Sequence, residues 1–408
     1  MTILTQAELA HHVQPLMCSA EDNPTDAAVK AVFSQLCEPA DTSCGALTQQ
    51  LGYEGLLDLL LARATAAQLL NQLQHHQVEE IEERFQRDLA SVWQDSCERW
   101  LPRLNKREFL ANLDHAKALG LKLLARDSHW YPSRLQVLGN GQPSVLWTKG
   151  NVNLLSAPAT VAIVGSRNTS VYGRNVATDL AVVAADHNIV TVSGGAYGID
   201  ACAHRGSLQA GGQTIAAMAG GLGRLYPQAN LDLLNHIGEQ GLLIAELPPM
   251  VAPAKWRFLK RNRLIAALGD ATVVVQAGLK SGAMNTADKA AELGKVVAVV
   301  PGQINSAYHI GCHRFANEHP NTQLVTSVAD LPYLLPGRLG GPELQGAMAG
   351  IGVLETRALD ALADGENSFE QVLKESGLTG SEGAIALGSL ELEGLVRRVG
   401  AGYVRVAK

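Results

Sequence analysis

The sequence predicts an α/β protein with a Rossmann-like, mostly parallel, doubly wound sheet, flanked by an N-terminal helical domain and a C-terminal winged-helix-like domain. Three observations support this fold class. Short, nearly continuous apolar segments recur between residues 157 and 302, amphipathic helical segments separate them, and glycine-rich loops follow several of them. Strands that are apolar on both faces are typical of a parallel sheet covered by helices on both sides.

The predicted strands of this sheet are short apolar segments bounded by turn residues. Helical segments such as "GRNVATDLAVVAADH" and "GAMNTADKAAELG" lie between them. We expect strands at residues 160–164, 188–192, 214–218, 241–246, 271–276 and 295–300.

The remaining regions of the chain differ in pattern. Residues 1–110 carry Leu, Ala, Gln and Glu at helical spacing, which predicts a helical domain of the SAM or helix-hairpin-helix type. The sheet domain is expected at 111–335, beginning with a connector that includes the aromatic and turn residues of 125–150, and a Gly- and Pro-rich linker is expected at 336–352. Residues 353–408 predict three short helices and a β-tail, which is the winged-helix pattern. The third of these helices is acidic ("SLELEGL"), which disfavours reading of a major groove and leaves a protein-binding or packing role open.

Composition excludes several classes of protein. The chain has 408 residues, a net charge of −6 and 47% hydrophobic residues, as expected of a soluble globular protein. It contains no apolar run of about eighteen residues and no secretory signal pattern at its start. Its six cysteines form no C-x-x-C pair, which argues against a zinc site and fits reduced thiols. We therefore expect a cytoplasmic protein without a metal site or a membrane partner.

The loops after the predicted strands indicate an anion-binding edge of the sheet. Ligands of open parallel sheets bind beyond the carboxyl ends of the strands, and these ends carry "GSRN" (165–168), "SGGAYGID" (193–200) and "AGLKSGAMNT" (277–286). Glycine N–H groups and helix N-termini suit phosphates. A dinucleotide site is disfavoured, because G-x-G-x-x-G is missing and Ser193 stands where a ribose-binding acid is expected. The spacing of a P-loop is also missing, and a mononucleotide pocket stays open as an alternative.

A basic and aromatic run extends the predicted anion site beyond a single phosphate. Residues 255–263, "KWRFLKRNR", place five cations beside Trp256 and Phe258 with no acidic residue between them. Cations for the backbone and aromatic rings for the bases are typical of a groove that binds single-stranded DNA. The alternative is the solvated start of an ordinary helix.

Seven motifs follow one another in order over residues 131–311. They are "YPSRL" (131–135), "VAIVGSRNTSVYG" (161–173), "SGGAYGIDACAHRGSL" (193–208), "AAMAGGLGRLYP" (216–227), "FLKRNRLIAAL" (258–268), "KSGAMNTADKAAELGKVVAVVPG" (280–302) and "HIG" (309–311). This ordered series resembles the DNA-processing protein A (DprA, or Smf) family. The resemblance implies a homodimer that coats and protects single-stranded DNA and loads the recombinase RecA onto it in natural transformation and homologous recombination. It implies no cofactor and no catalytic residues.

The family resemblance and the basic run together indicate which residues should contact DNA. The early loop would hold one phosphate, the second loop would add backbone contacts, and a helix N-terminus would close the groove. Where the family usually has Glu, this chain has Gln276, and Gly195 replaces a bulky Leu or Met. The expected DNA-binding residues are Gly165, Ser166, Arg167, Ser193, Gly194, Gly195, Arg257, Lys260, Arg261, Asn262, Arg263, Lys280, Ser281 and Gly282.

The strongest competing function is an enzyme. Nucleoside monophosphate phosphoribohydrolases share a related fold and an early G-S-R loop, but their P-G-G-x-G-T-x-x-E motif would fall at 277–290. There Thr286 is present, whereas the tandem glycines and the Glu are missing. Asp200 and His204 resemble an acid–base pair, yet no nucleophile accompanies them. We therefore expect an acid at a helix N-terminus and a capping or packing histidine.

Overall fold

The computed structural model describes residues 6–336, 352–362, 365, 367–392, 394–400 and 402–406. The chain divides into two compact units, 1–339 and 340–408. The predicted linker at 336–352 lies outside the described residues except for its first and last positions. No helix in the described ranges combines the length and the apolar character needed to cross a bilayer.

Helices occupy the first part of the larger unit. Side chains of Asn23, Asp41, Asp88 and Asn105 cap four of them by accepting hydrogen bonds from backbone N–H groups of the first turn. These caps fix where each helix begins. The helices are α1 (Gln6–Val13), α2 (Pro24–Leu36), α3 (Thr42–Leu61), α4 (Ala66–Leu70), α5 (His75–Phe85), α6 (Leu89–Trp100) and α7 (Lys106–Ala118).

A mixed, mostly parallel sheet forms the centre of the larger unit. Its strands are β1 (Lys122–Ala125), β2 (Val145–Gly150), β3 (Thr160–Val164), β4 (Val190–Ser193), β5 (Thr214–Met218), β6 (Leu242–Ala245), β7 (Ala271–Val274), β8 (Val296–Val299) and β9 (Gln323–Leu324). The described strands lie in the order β1-β2-β6-β5-β4-β3-β7-β8-β9. All neighbours from β6 to β9 pair in parallel, whereas β1 and β2 are antiparallel additions at one edge.

Helices cover both faces of this sheet. They are α8 (Val171–Asp186), α9 (Ile199–Gln209), α10 (Leu231–Gln240), α11 (Lys255–Leu268), α12 (Gly282–Glu292) and α13 (Ile310–Glu318). The alternation within β5 shows the two faces, since Ile215 packs in the core beneath α11 whereas Ala216 packs with α10. Because every residue of β5 is buried, this strand reads as a continuous apolar run.

The N-terminal helices share one hydrophobic core with part of the sheet. Phe33 and Leu36 of α2 belong to the same buried cluster as Trp147 of β2 and Leu243 and Ala245 of β6. Burial of such side chains contributes roughly 1.5–3 kcal/mol each. The helices therefore pack on the sheet, within the same compact unit.

The six predicted strands are present, and the interpretation of 125–150 as a connector is wrong. Val145–Gly150 is a strand, and its residues Val145–Thr148 pair antiparallel with Ala125–Lys122. The strand pattern is weak in sequence, because β1 has only four residues and β2 includes Lys149 and Gly150. Pairing of β2 with β6 and of β1 with β2, rather than local periodicity, places these segments in the sheet.

The smaller unit contains three helices and three short strands in its described part. The helices are α14 (Val353–Asp360), α15 (Phe369–Ser376) and α16 (Gly380–Leu392), and the strands are β10 (Asn367–Ser368), β11 (Val396–Val399) and β12 (Gly402–Arg405). The antiparallel strand order is β10-β12-β11. Ala358, Val372, Leu387 and Val396 contribute to its core. The winged-helix assignment stays a prediction.

Candidate nucleic-acid interface

A cleft of about 640 Å³ lies at the carboxyl ends of β3 and β7. These strands are neighbours, and the chain proceeds from β3 to β4 on one side and from β7 to β8 on the other. The cleft therefore lies at the topological switch point of the sheet, where open α/β proteins bind their ligands. Its walls are the first loop (residues 165–170), the segment 278–283 and one side of α11.

The first loop follows β3 and presents Arg167 to the cleft. The Ser166 N–H donates to the carbonyl oxygen of Gln276 at 2.7 Å, and the Ser166 hydroxyl donates to the carbonyl of Asn168 at 2.6 Å. A Cβ atom at Gly165 would come within 2.8 Å of the Cβ of Ile199, so this close approach requires glycine. The exposed Arg167 guanidinium lies 5.1 Å from the centroid of the Phe258 ring and has no carboxylate partner among the described residues.

The N-terminus of α12 forms another wall of the cleft. The Ser281 side chain caps the helix by accepting from the Ala283 N–H at 3.3 Å. Lys280 is exposed and forms no ion pair within the described part of the chain, and space is open around Gly282. A helix N-terminus and a free ammonium group both favour an anion.

Arg261 forms the floor of the cleft and is almost fully buried. Its guanidinium donates to the carbonyl oxygens of Gly194, at 2.8 Å, and Ala217. Burial lowers the pKa of Arg261 to about 10, an effect that the nearby Asp200 carboxylate opposes. Asn262 next to it donates to the carbonyl of Gly282 at 3.1 Å and so joins α11 to α12.

The second loop, residues 194–198 between β4 and α9, borders the cleft at Ala196. The Ser193 hydroxyl donates to the carbonyl of Ile163, and the Gly194 N–H donates to Asp200 at 3.1 Å. The Gly195 N–H donates to Nε2 of His204 at 3.2 Å. The N–H groups expected to contact a phosphate therefore have protein acceptors, and this differs from the sequence-based expectation.

Asp200 and His204 are buried and hydrogen-bonded within the protein. Burial raises the pKa of Asp200, although Arg261 and two backbone N–H groups oppose this shift. Burial lowers the pKa of His204 to about 3, so the ring is neutral, and its Nδ1 lies 2.7 Å from the hydroxyl oxygen of Thr214. Asp200 is thus an acid of the first turn of α9 whose carboxylate accepts from the N–H groups of Gly194 and Ala196 and does not cap the helix, and His204 is a buried packing histidine.

Three cations of the basic run do not line the cleft. Arg257 forms an ion pair with Glu38, and Nη2 of Arg263 donates to both carboxylate oxygens of Glu246 at 2.7 and 2.8 Å. Lys260 is exposed but lies outside the cleft lining. The guanidinium groups of Arg257 and Arg263 therefore each pair with a protein carboxylate outside this cleft, and their contact with DNA stays a prediction.

The residues that line the cleft include Lys255 and Tyr226, which the expected DNA contacts omit. Lys255 is exposed at the first position of α11, and its place in the basic run was the available signal. Tyr226, 41% exposed, follows β5 in the "GRLYP" segment, and its ring centroid lies 5.8 Å from that of Phe258. Cations and exposed aromatic surface thus meet in one cleft.

The fold and the cleft define a class: a Rossmann-like α/β protein with a basic, aromatic-lined cleft at the switch point of its sheet. Residues 122–335, more than half of the chain, match the family model of the DNA recombination-mediator protein A. The chain belongs to this family, and the resemblance seen in its motifs is confirmed.

Individual relatives agree with this assignment. The chain is 42% identical over 259 residues to the putative DNA processing protein DprA of Mycobacterium tuberculosis, which covers 62% of this chain and 66% of the relative, just under two thirds of its length. It is 30% identical to protein Smf of Escherichia coli K12 over 70% of this chain and 78% of the relative. The X-ray structure of DprA from Streptococcus pneumoniae superposes with a TM-score of 0.52 at 32% identity, covering 64% of this chain and 92% of that one.

Proposed function

We propose that this protein is a recombination mediator that binds single-stranded DNA in the switch-point cleft. The observation that carries the proposal is that Arg167 and Lys280, neither in an ion pair within the described residues, line the same cleft as Phe258 and Tyr226. Cations neutralise backbone phosphates, and aromatic faces stack on bases that are unpaired. Duplex DNA offers its phosphates but keeps its bases stacked on one another.

The experiment that tests DNA binding is a titration of a fluorescent oligonucleotide at several salt concentrations. Binding should weaken as salt rises, with a slope of about −0.7 per phosphate neutralised on a single strand. A single strand should bind more tightly than the matched duplex at each concentration. Binding that does not respond to salt, or that favours the duplex, would contradict the proposal.

The cellular role that we propose is protection of single-stranded DNA and loading of RecA onto it in natural transformation and homologous recombination. We propose that the protein acts as a cytoplasmic homodimer. The family description, a DNA recombination mediator, supports this role. The test is whether the protein accelerates RecA filament formation on DNA already coated with single-strand-binding protein. Unchanged filament kinetics would leave DNA binding without a mediator role.

We propose no catalysis and no cofactor for the cleft. Asp200 is the carboxylate among the residues that line it, and its Oδ2 already accepts from the N–H groups of Gly194 and Ala196. Thr286 lines the cleft without a neighbouring glutamate in the lining. A phosphoribohydrolase would release base from a nucleoside monophosphate, so base release that Arg167→Ala abolishes would favour the enzyme instead.

The flanking regions have proposed roles outside the cleft. For residues 1–110 we propose a helical domain of the SAM or helix-hairpin-helix type, and for 353–408 a winged-helix-like domain. Helix α16 exposes Ile385 and Leu392, which are 65% and 91% accessible, beside the acidic Glu391. An apolar and acidic helix suits a protein partner better than a DNA groove.

A further inference from the structure

Gln276 lies just beyond β7, fully buried, and bonds to the first loop through both ends of its carboxamide. Its Oε1 accepts from the Thr169 hydroxyl at 2.8 Å and from the Ser170 N–H at 3.1 Å. Its Nε2 donates to the Ser170 hydroxyl oxygen at 2.8 Å and to Nε2 of His309 at 3.3 Å. A single side chain therefore satisfies donors and acceptors from two separate segments.

The orientation of this carboxamide is fixed by its surroundings. A flipped amide would direct its NH₂ group at the Ser170 N–H, so two donors would face each other. With the amide as it stands, Nε2 of His309 is an acceptor, and the proton of the neutral ring lies on Nδ1, 3.3 Å from the Ser306 hydroxyl oxygen. The rings of Tyr172 and His313 pack beside His309 at centroid distances of 5.6 and 6.2 Å.

Gln276 fixes the first loop at both ends. Its backbone carbonyl accepts the Ser166 N–H at 2.7 Å, which holds the start of the loop. Its side chain holds the end, where Ser170 caps α8 by accepting from the Gly173 N–H at 3.1 Å. A Cβ atom at Gly173 would overlap Oε1 of Gln276, so helix and carboxamide are in close contact.

Arg167 lies between these two fixed points. Its own side chain has a weak restraint, the contact with the Phe258 ring at 5.1 Å. The position of its guanidinium in the cleft therefore depends on the backbone of the loop. Ordering this loop in advance lowers the entropy lost when a phosphate binds.

We propose that Gln276 is a positioning residue for the DNA-binding site: its carboxamide, oriented by His309, holds residues 166–170 so that Arg167 meets a backbone phosphate. The assignment rests on the proposed function, because it presumes that DNA occupies the cleft. Gln276 itself does not line the cleft and is not assigned a DNA contact.

The test compares Gln276→Leu with Thr272→Val in the full chain. Leucine keeps similar volume and removes every side-chain hydrogen bond. Thr272 is a matched control, because it lies in β7, is fully buried, and its hydroxyl has no hydrogen-bond partner in the described part of the chain. The measurements are oligonucleotide affinity over a range of salt, amide hydrogen exchange of residues 166–170 in the free protein, and thermal unfolding to verify folding.

We expect Gln276→Leu to weaken DNA binding about fivefold to tenfold, as loss of buried hydrogen bonds does. Exchange at 166–170 should accelerate, and Thr272→Val should match the wild type in both measurements. In the Arg167→Ala background, Gln276→Leu should change the affinity less than about twofold, because a positioning residue acts through the group that it positions. If Gln276→Leu does not fold, Thr169→Val removes one of the bonds from the loop side and should accelerate the same exchange.

Three results would overturn the assignment. Wild-type exchange and affinity in Gln276→Leu would show that the loop does not depend on the carboxamide. Persistence of the full affinity loss in the Arg167→Ala background would show an effect that does not pass through Arg167. Absence of salt-dependent binding by the wild-type chain would instead overturn the proposed function, and the assignment with it.

Discussion

Arg257 of α11 and Glu38, just after α2, form a bidentate ion pair. Nη2 of Arg257 lies 2.7 Å from Oε1 of Glu38, and Nε lies 3.0 Å from Oε2. Arg103 donates to the same Oε1 at 2.6 Å. The side chains of Arg257 and Glu38 are only 16% and 22% exposed. This cation therefore joins the N-terminal helices to the helix that forms one side of the cleft.

Arg257→Ala should destabilise the fold and leave DNA binding largely unchanged. Removing one member of this partly buried pair leaves Glu38 with a single cation and should lower the free energy of unfolding by about 1–3 kcal/mol. Urea unfolding measures this loss. Arg314→Ala is the control, because its pair with Glu318 is exposed. A fall in the salt slope of DNA binding equal to that of Arg167→Ala would contradict the placement of Arg257 outside the cleft.

Arg167→Ala and Lys280→Ala should each weaken single-strand binding and reduce the salt slope. Each substitution removes a cleft cation without an ion-pair partner in the described ranges, so each slope should fall by about 0.7 if one phosphate contact is lost. Fluorescence titrations at four or more salt concentrations give the slope. Lys289→Ala, at the other end of α12, is the matched control because Lys289 pairs with Glu292. Equal slopes in all variants would place the DNA elsewhere.

Gly194→Ala and Gly282→Ala should have opposite effects on stability. A Cβ atom at 194 would come within 2.6 Å of the Arg261 guanidinium, whose buried position cannot yield freely, and we expect a loss of about 1–3 kcal/mol. Position 282 has open space around it, so alanine should stabilise α12 by up to about 1 kcal/mol. Chemical denaturation of the two variants measures the two changes in the free energy of unfolding.

DNA titration of the Gly194→Ala and Gly282→Ala variants gives a second comparison. If a phosphate approaches the N-terminus of α12 closely, Gly282→Ala should weaken binding although the fold is more stable. Unchanged affinity of Gly282→Ala would argue against a phosphate at that helix end.

Stability should fall in mild acid because His204 stays neutral in the folded protein. Its pKa is lowered to about 3, against about 6.5 when unfolded, so the unfolded state binds the proton first. The contribution of neutral His204 to the free energy of unfolding is complete above pH 6.5 and is lost as the pH falls towards 3. Roughly 2 kcal/mol of it is lost between pH 7 and pH 5. Asp200, whose pKa is raised, acts in the opposite direction.

Urea unfolding at pH 7 and pH 5 measures this loss. The difference between wild type and His204→Gln isolates the histidine, because Asp200 is common to both chains. If the two chains lose the same stability over this interval, the loss does not come from His204.

The parallel strands could be predicted from sequence because each is buried on both faces and therefore apolar throughout. The antiparallel strands β1 and β2 could not, since β2 is placed by pairing with β6, and β1 by pairing with β2, rather than by a local pattern. The residues of the site divide in the same way, into those that a local pattern predicts and those that only tertiary structure places. Gly165, Arg167 and Lys280 follow predicted strands and reach the predicted edge of the sheet.

The ion-pair partners of Arg257 and Arg263 could be identified only from the structure. Glu38 lies 219 positions from Arg257 in sequence, and no spacing rule connects them. Glu246 is 17 positions from Arg263, but α11 and β6 must fold before the two side chains meet. A basic run shows how many cations are near one another in sequence, and only tertiary structure shows which ones stay available.

The core shared by the N-terminal helices and the sheet has a practical consequence for handling the molecule. A truncated version starting at residue 119 would remove Phe33 and Leu36 from the buried cluster that also holds Trp147, Leu243 and Ala245, and would expose apolar surface on one flank of the sheet. Such an apolar flank would promote aggregation during expression. Biochemical work on the cleft therefore calls for fragments that retain residues 6–118, even when those helices are not under study.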